Sequence, residues 1–330
     1  MQHTMDERNL LSCGYEPDEA DGLGLNQLLP KLLAWKIKDV IVVHHGTIRW
    51  KWHVKQTDRV GAIYSSTKSF LSALIGMAVE QGYISSLDQP IADYFEEIRK
   101  DSDERKRSIR IKDLMSMTAG LEWPEFDKPY WQMKRTKDWI DFIVKQPMAH
   151  VPGEVFTYNS GASHLLSAIL TRTTELSASE YAELHLFKRL GFRKSRWNSS
   201  GGVSEGGAGL HLTALDMAKF GQLYLQKGSW NGEQLIPSSW IDSSTCVHHK
   251  GFQHYEPPIF GEYGYHWWIS SKEHNGVVSC YFAKGYGGQY IFVIPERDAV
   301  VVVRREAVDK SSAMASKQLL FEHIIPAISE

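Results

Sequence analysis

Apolar positions first recur at helical spacing at Leu25, Leu28, Leu29, Leu32, Leu33 and Trp35, which predicts an amphipathic helix. The period then changes. Asp39 to His44 is a β-branched run, His45-Gly46 is a turn signal, and Thr47 to His53 alternates strictly, so a hairpin is expected. Leu71, Leu74, Ile75, Ala78 and Val79 share one face of a helix over 69–81, with Gly82 as its C′ residue. Residues 1–22 are polar and aperiodic and read as an irregular surface segment.

From about 90 to 205 strand signals vanish, and helices are expected over 137–145, 163–173 and 179–189. The charge run 96–112 reads as a solvated face. A Gly/Ser-rich connector spans 198–209, and a helix follows, capped by Thr213 and stopped at Gly228. Strand patterns return over 263–269, 277–283, 289–294 and 299–303, with a tight turn at 295–298 and a closing helix over 311–325. The fold class expected is therefore α+β. An antiparallel sheet is built from both termini (1–90 and 206–330) and flanked by helices, and a mainly helical domain (91–205) is inserted between them. The cleft between the two parts is the expected ligand site.

Composition narrows the function. Lys and Arg number 37 against 39 Asp and Glu, and no basic block is long enough to line a groove, so nucleic acid is not an expected partner. The longest apolar runs, such as 299–303, are far below the roughly 20 residues of a membrane helix. Acids near the start and the lack of a following apolar core argue against a secretory leader. Cys13, Cys246 and Cys280 are widely spaced and read as reduced thiols, so a cytoplasmic protein is expected.

Metal chemistry finds no HExxH and no His/Cys pair at zinc spacing, and the doublets 44–45 and 248–249 would point to opposite faces of a strand. No Walker A or dinucleotide fingerprint is present, and no cofactor is expected. Gly202 to Gly206 matches G-x-S-x-G but lacks the strand before it and the helix after it that a nucleophile elbow needs. Ser65-Ser66-Thr67-Lys68 is the chain's single S-x-x-K. It follows an extended segment and opens an apolar helix, so Lys68 lies one turn from Ser65 on the same side. A serine there is either an N-cap or a nucleophile. Two later segments favour the nucleophile: Tyr158-Asn159-Ser160 in a turn before a helix, and Lys284-Gly285-Tyr286-Gly287-Gly288 at a strand edge.

In that order the three motifs resemble the serine β-lactamase-like and penicillin-binding-protein-like superfamily. The class C branch, with its family VIII esterase and 6-aminohexanoate-dimer hydrolase relatives, is the most similar. Leu114 to Leu121, Pro152-Gly153, Gly207 to Leu210, Gly264 to Trp268 and Gly287 to Gln289 resemble further family blocks, so about nine-tenths of the chain is covered. The resemblance implies a serine hydrolase of small-molecule esters or amides that uses no metal or cofactor. Ser65 would be the acylated nucleophile, Lys68 would share or shuttle its proton, and Tyr158 would act as general base and general acid. The backbone N–H groups of Ser65 and Tyr286 would form the oxyanion hole, with Ser160, Gly285, Gly287 and Trp123 around the substrate. A neighbouring Lys68 ammonium is expected to lower the Tyr158 pKa, and the pairing to depress that of Lys68. Which of the two deprotonates Ser65 stays open here. Ser160 stands where β-lactamases usually have Asn, and Lys284-Gly285-Tyr286 replaces Lys-Thr-Gly, so linear esters or amides are favoured over β-lactams. A D-amino-acid-recognising peptidase, a weak β-lactamase and a non-catalytic ligand-binding protein are the alternatives. Trp123 and Trp131 either line an acyl pocket or fill the insertion's own core, and Trp267 and Trp268 should fall on opposite sides of a strand.

Overall fold

Two covered faces of one antiparallel sheet organise the chain. The structure, a computed structural model, describes residues 23–125, 129–252, 261–307 and 312–328, so the expectation for residues 1–22 lies outside the described residues. The main sheet has eight strands: β1 (Ile37–His44), β2 (Thr47–His53), β3 (His249–Lys250), β4 (Glu262–Tyr263), β5 (Trp268–Ser270), β6 (Cys280–Gly285), β7 (Gln289–Ile294) and β8 (Ala299–Arg305). Their order is β3-β4-β5-β6-β7-β8-β1-β2, so the first hairpin docks on the last strand, from Val40↔Val303 to His44↔Ala299. His45 and Gly46 both take positive φ (51° and 67°), as a tight hairpin turn with right-handed strand twist requires. That turn also brings the rings of His44 and His45 to 4.0 Å, so this doublet does not splay across a strand.

Alternate residues of the central strands feed two cores. Ile41, Val43, Val300 and Val302 face one cluster, and Val40, Val42, Val301 and Val303 face the other. Because both faces are covered, these strands read as continuous apolar runs with little alternation. On the second face lie α1 (Leu29–Ala34), entered through a 3-10 turn at Leu25–Leu28, and the C-terminal helix with Leu319 and Leu320. On the first face lie α2 (Thr67–Glu80), α3 (Ser160–Thr174) and α4 (Ala214–Leu225). α2 is buried on every side from Thr67 to Ala78, as befits a helix at the centre of a domain. α4 rides close to the sheet because Gly221 has no side chain; a Cβ there would stand 2.6 Å from Val300 Cγ1. Thr213 caps α4, its hydroxyl accepting from Asp216 N.

Some elements differ from the sequence reading. The 263–269 run is two strands, β4 and β5, separated by a reversal at His266 (φ 62°). Ser69 Oγ donates to the His266 carbonyl at 2.7 Å, and Ser72 Oγ to that of Tyr265, so α2 itself holds the reversal. Trp267 and Trp268 do fall into different cores. The 198–209 connector contains short strands, and Arg196–Trp197 joins Leu210–Leu212 and Gly61–Ala62 in a small three-stranded sheet. The closing helix runs on to Ala327 through a π-helical stretch at Leu319–Ile324. The charge run forms two short solvated helices, although Lys106 is buried on Asp101 at 2.7 Å. No helix among the described residues is long and apolar enough to cross a membrane.

Arg304 ties these layers together. Its guanidinium lies 3.2 Å from Asp39 of β1 and 3.6 Å from Asp58, and donates to the carbonyls of Arg59 and Leu212. Asp58 in turn accepts from the first N–H groups of α4. Asp39, His53 and Asp58 converge as cation ligands do, but the guanidinium already supplies the positive charge among them. Arg304→Met should therefore lower the unfolding free energy by about 3–5 kcal/mol in urea titration, because it removes the guanidinium from the buried Asp39 and the half-buried Asp58. A loss below about 1 kcal/mol would show that the pair does not bind the layers.

Candidate active site

Ser65 belongs to a 3-10 turn, Tyr64–Ser66, that feeds directly into α2. Tyr64 adopts φ 49°, a left-handed conformation that is strained for a bulky residue and that turns the chain sharply before the serine. Thr67 braces the turn: its hydroxyl donates to the Tyr64 carbonyl at 2.6 Å and accepts from Leu210 N. The helix start carries no side-chain cap, and the buried Ser66 Oγ has no partner among the described residues. The N-cap reading is therefore not realised, and Ser65 stays only half-buried.

Lys68, one turn on, is buried. Its ammonium donates to Ser65 Oγ at 3.2 Å, Ser160 Oγ at 2.9 Å and the Gly207 carbonyl at 2.6 Å. Three N–H bonds meet three acceptors. Burial lowers the Lys68 pKa to about 8, while the charges of Glu125 and Glu205 pull it back up. The depression expected from the sequence is present, but desolvation causes it and pairing with Tyr158 does not.

Tyr158 precedes α3, whose cap is Asn159 accepting from Ala162 N at 2.8 Å. Its ring stacks on Trp268 and lies beneath Lys68 Nζ, 4.7 Å from the ring centroid. Here the sequence expectation is corrected. Burial pushes the phenol above its usual range, Ser65 offsets only part of the rise, and the Glu125 charge adds to it. Desolvation outweighs the neighbouring cation.

The third segment comes alongside as the end of β6. A Cβ on Gly285 would stand 2.1 Å from the Ile63 carbonyl, so the strand edge packs directly on the chain leading to Ser65. Tyr286 is 45% exposed and meets Tyr64 edge-on at 5.8 Å. Gly287 (φ 77°) passes within contact of the Ala307 backbone, and Gln289 Nε2 donates to the Tyr286 and Arg305 carbonyls. Lys284 is held at about 8 by burial, and Lys317 beside it at about 7.

Trp123 is packed into the core, edge-on to Phe142 and against Gly161, and reaches the site only through its indole N–H. Trp131 is exposed. The G-x-S-x-G serine, Ser204, is buried and accepts from Ser179 N, which is a structural role.

Two participants went unread in the sequence. Glu125, half-buried as a residue, accepts from Ser160 N at 2.8 Å and Trp123 Nε1 at 2.5 Å, and also from the Ser160 hydroxyl. Its carboxyl pKa is raised by burial and held down in part by Lys68. Gly207 presents its carbonyl to Lys68 because the connector presses on α3; a Cβ there would stand 2.5 Å from that of Ser160. The signals available were an acid set against Trp123-Pro124, and glycines at 206 and 207. A separate cavity of about 630 Å³, lined by Arg110, Lys112, Asp113, Thr118, His249 and Tyr265 among others, does not include Ser65, Lys68 or Tyr158.

The Beta-lactamase family profile matches residues 39–310. Among curated proteins the chain is similar to a 6-aminohexanoate-dimer hydrolase of Paenarthrobacter ureafaciens, 23% identical over 260 residues that cover 73% of this chain and 64% of that one. Among solved structures it is similar to EstCE1, a hydrolase with promiscuous acyltransferase activity, with a TM-score of 0.74 and 14% identity over 94% of this chain and 99% of that one. An octameric penicillin-binding protein homologue from Pyrococcus abyssi gives a TM-score of 0.69 and 20% identity, covering 92% of this chain and 78% of that one.

Gly285→Ala should cost on the order of 10²-fold in the rate at which Ser65 reacts with a fluorophosphonate, because the strand edge must back away from the serine turn. An unchanged rate would mean that the strand yields without moving the nucleophile.

Proposed function

The chain belongs to the beta-lactamase family, and we propose that this serine hydrolase cleaves ester or amide bonds of small or linear substrates through an acyl-enzyme on Ser65. One observation carries the reading: a buried amine with a pKa of about 8 touches a half-exposed serine at the start of a buried helix.

Lys68 is the better base for Ser65. At neutral pH roughly a tenth of an amine with that pKa is unprotonated, whereas a phenol raised by burial stays protonated. When Lys68 loses a proton, its two remaining N–H groups keep the shorter bonds to Ser160 and Gly207, and its lone pair faces Ser65. Lys68 then takes the Ser65 proton as Oγ attacks the carbonyl carbon. The oxyanion that forms is met by the backbone N–H groups of Ser65 and Tyr286, preorganised by the tight contact at Gly285. Tyr158 gives its proton to the leaving group, and the Lys68 ammonium over its ring stabilises the phenolate. In deacylation the phenolate takes a proton from water, the resulting hydroxide attacks the ester, and Lys68 returns its proton to Ser65. Both residues end as they began.

What stands beside these groups supports the proposed substrate class. Ser160 and Gly285 stand where an amide and a small hydroxyl residue would grip a β-lactam, and the half-exposed Tyr286 sets a bulky ring beside them, with Tyr64 adding a second. The similar proteins, a 6-aminohexanoate-dimer hydrolase and a hydrolase with promiscuous acyltransferase activity, support acyl-transfer chemistry on esters or linear amides.

Intact mass after fluorophosphonate treatment should show one adduct, lost in Ser65→Ala. A panel of p-nitrophenyl esters, linear amides and a chromogenic cephalosporin should give ester or amide turnover exceeding that of the cephalosporin. No adduct and no turnover would favour a ligand-binding protein instead. The acylation rate should rise about tenfold per pH unit below about 8 and level off above it, because the active form has Lys68 neutral. A rate that falls as pH rises toward 8 would remove Lys68 as the base. Tyr158→Phe should keep the nitrophenol burst, since that leaving group needs no proton, but lose about 10²–10⁴-fold in steady-state turnover.

A further inference from the structure

Ser160 joins two opposite charges. Its hydroxyl accepts from Lys68 Nζ at 2.9 Å and donates to Glu125 Oε1. The other carboxylate oxygen is gripped by Ser160 N and Trp123 Nε1, so the side chain is held by three donors and has no freedom to swing toward substrate. A buried carboxylate is costly unless a cation answers it: burial raises the Glu125 carboxyl pKa, and the Lys68 charge with the three donors pulls it part of the way back.

The other groups around Lys68 do not take that part. Glu205 also acts on Lys68 but is already matched by Lys134 at 2.7 Å and by the Tyr130 hydroxyl at 2.8 Å. His266, beneath α2, donates from Nδ1 to the Met115 carbonyl, accepts from Ser163 Oγ at Nε2, and is kept neutral by burial at about 3. Ser65 and the Gly207 carbonyl are neutral, and the Tyr158 phenol is held protonated. Around Glu125 the phenols of Tyr130, Tyr158 and Tyr263 are all raised by burial and bear no charge near neutral pH.

We propose that Glu125 is a positioning residue of this centre: it fixes the Ser160 hydroxyl as an acceptor for Lys68 and supplies the counter-charge against which Lys68 exchanges its proton. The inference rests on the hydrolase reading above. Its consequence has a definite sign. The Glu125 charge raises the pH at which Lys68 gives up its proton, so removing the charge moves that pH downward.

The test is the pH dependence of Ser65 acylation by a fluorophosphonate in the full chain, read by intact mass. In Glu125→Gln, which keeps the shape and loses the charge, the acid limb should move to lower pH by roughly 1–3 units. In Glu125→Asp, which keeps the charge, the rate should fall but the limb should stay within roughly half a unit of wild type. A limb that does not move in Glu125→Gln, or moves equally in both variants, would reduce Glu125 to a packing role. Should Glu125→Gln fail to fold, a displacement of about one unit or more in Glu125→Asp alone would also contradict the proposal. Wild type that is labelled at no pH overturns the hydrolase reading and this inference with it, which separates that failure from failure of the Glu125 role alone.

Discussion

An ammonium without water is the constraint around which this site is arranged. Lys68 is buried on the innermost helix, and its three protons are met by a serine in the turn that leads into that helix, a serine on α3 and a backbone carbonyl of the connector. Each acceptor comes from a different stretch of chain. The serine turn, the start of α3 and the connector must therefore be in register before the charge can be tolerated, and an unsatisfied one would be costly. The same desolvation that makes this demand lowers the amine toward neutral pH, so in the proposed mechanism one physical cause both orders the site and activates it.

The scaffold answers with close backbone approaches. Gly285 lies on Ile63, Gly207 on Ser160 and Gly206 on the Ser163 carbonyl, each at a distance that excludes any side chain. These contacts bring a strand edge, a helix start and a connector onto one serine. Rigid elements of this kind hold reacting groups more tightly than loops do. The strained Tyr64, with φ 49°, is the local counterpart: the chain turns there, and the next residue, Ser65, is left half-exposed.

Much of this was legible in the sequence, and the boundary has physical causes. The hairpin, α2 and α4 could be read because their apolar spacing and their stop signals at Gly82 and Gly228 are local. Ser65 and Lys68 could be paired because three residues along a helix is a fixed geometry. Glu125 could not be read as part of the site: a single acid beside Trp123-Pro124 has no period, and its partners Ser160 and Lys68 are distant in sequence. Gly207 contributes a carbonyl, which every residue possesses. The break at His266 was hidden because Tyr263, Tyr265, Trp267 and Trp268 look like one strand, and the turn is held by Ser69 and Ser72 of another element. The Tyr158 expectation failed in direction because a neighbouring cation could be inferred from the resemblance of the motifs, whereas depth of burial could not.

An NMR titration of the Lys68 side chain, assigned by difference against Lys68→Met, tests the central claim most directly. The account predicts a midpoint at about 8, with the amine partly neutral near neutral pH. A midpoint at the ordinary lysine value of 10.5 would mean that the charge is not desolvated, and the arrangement described around it would not activate Ser65.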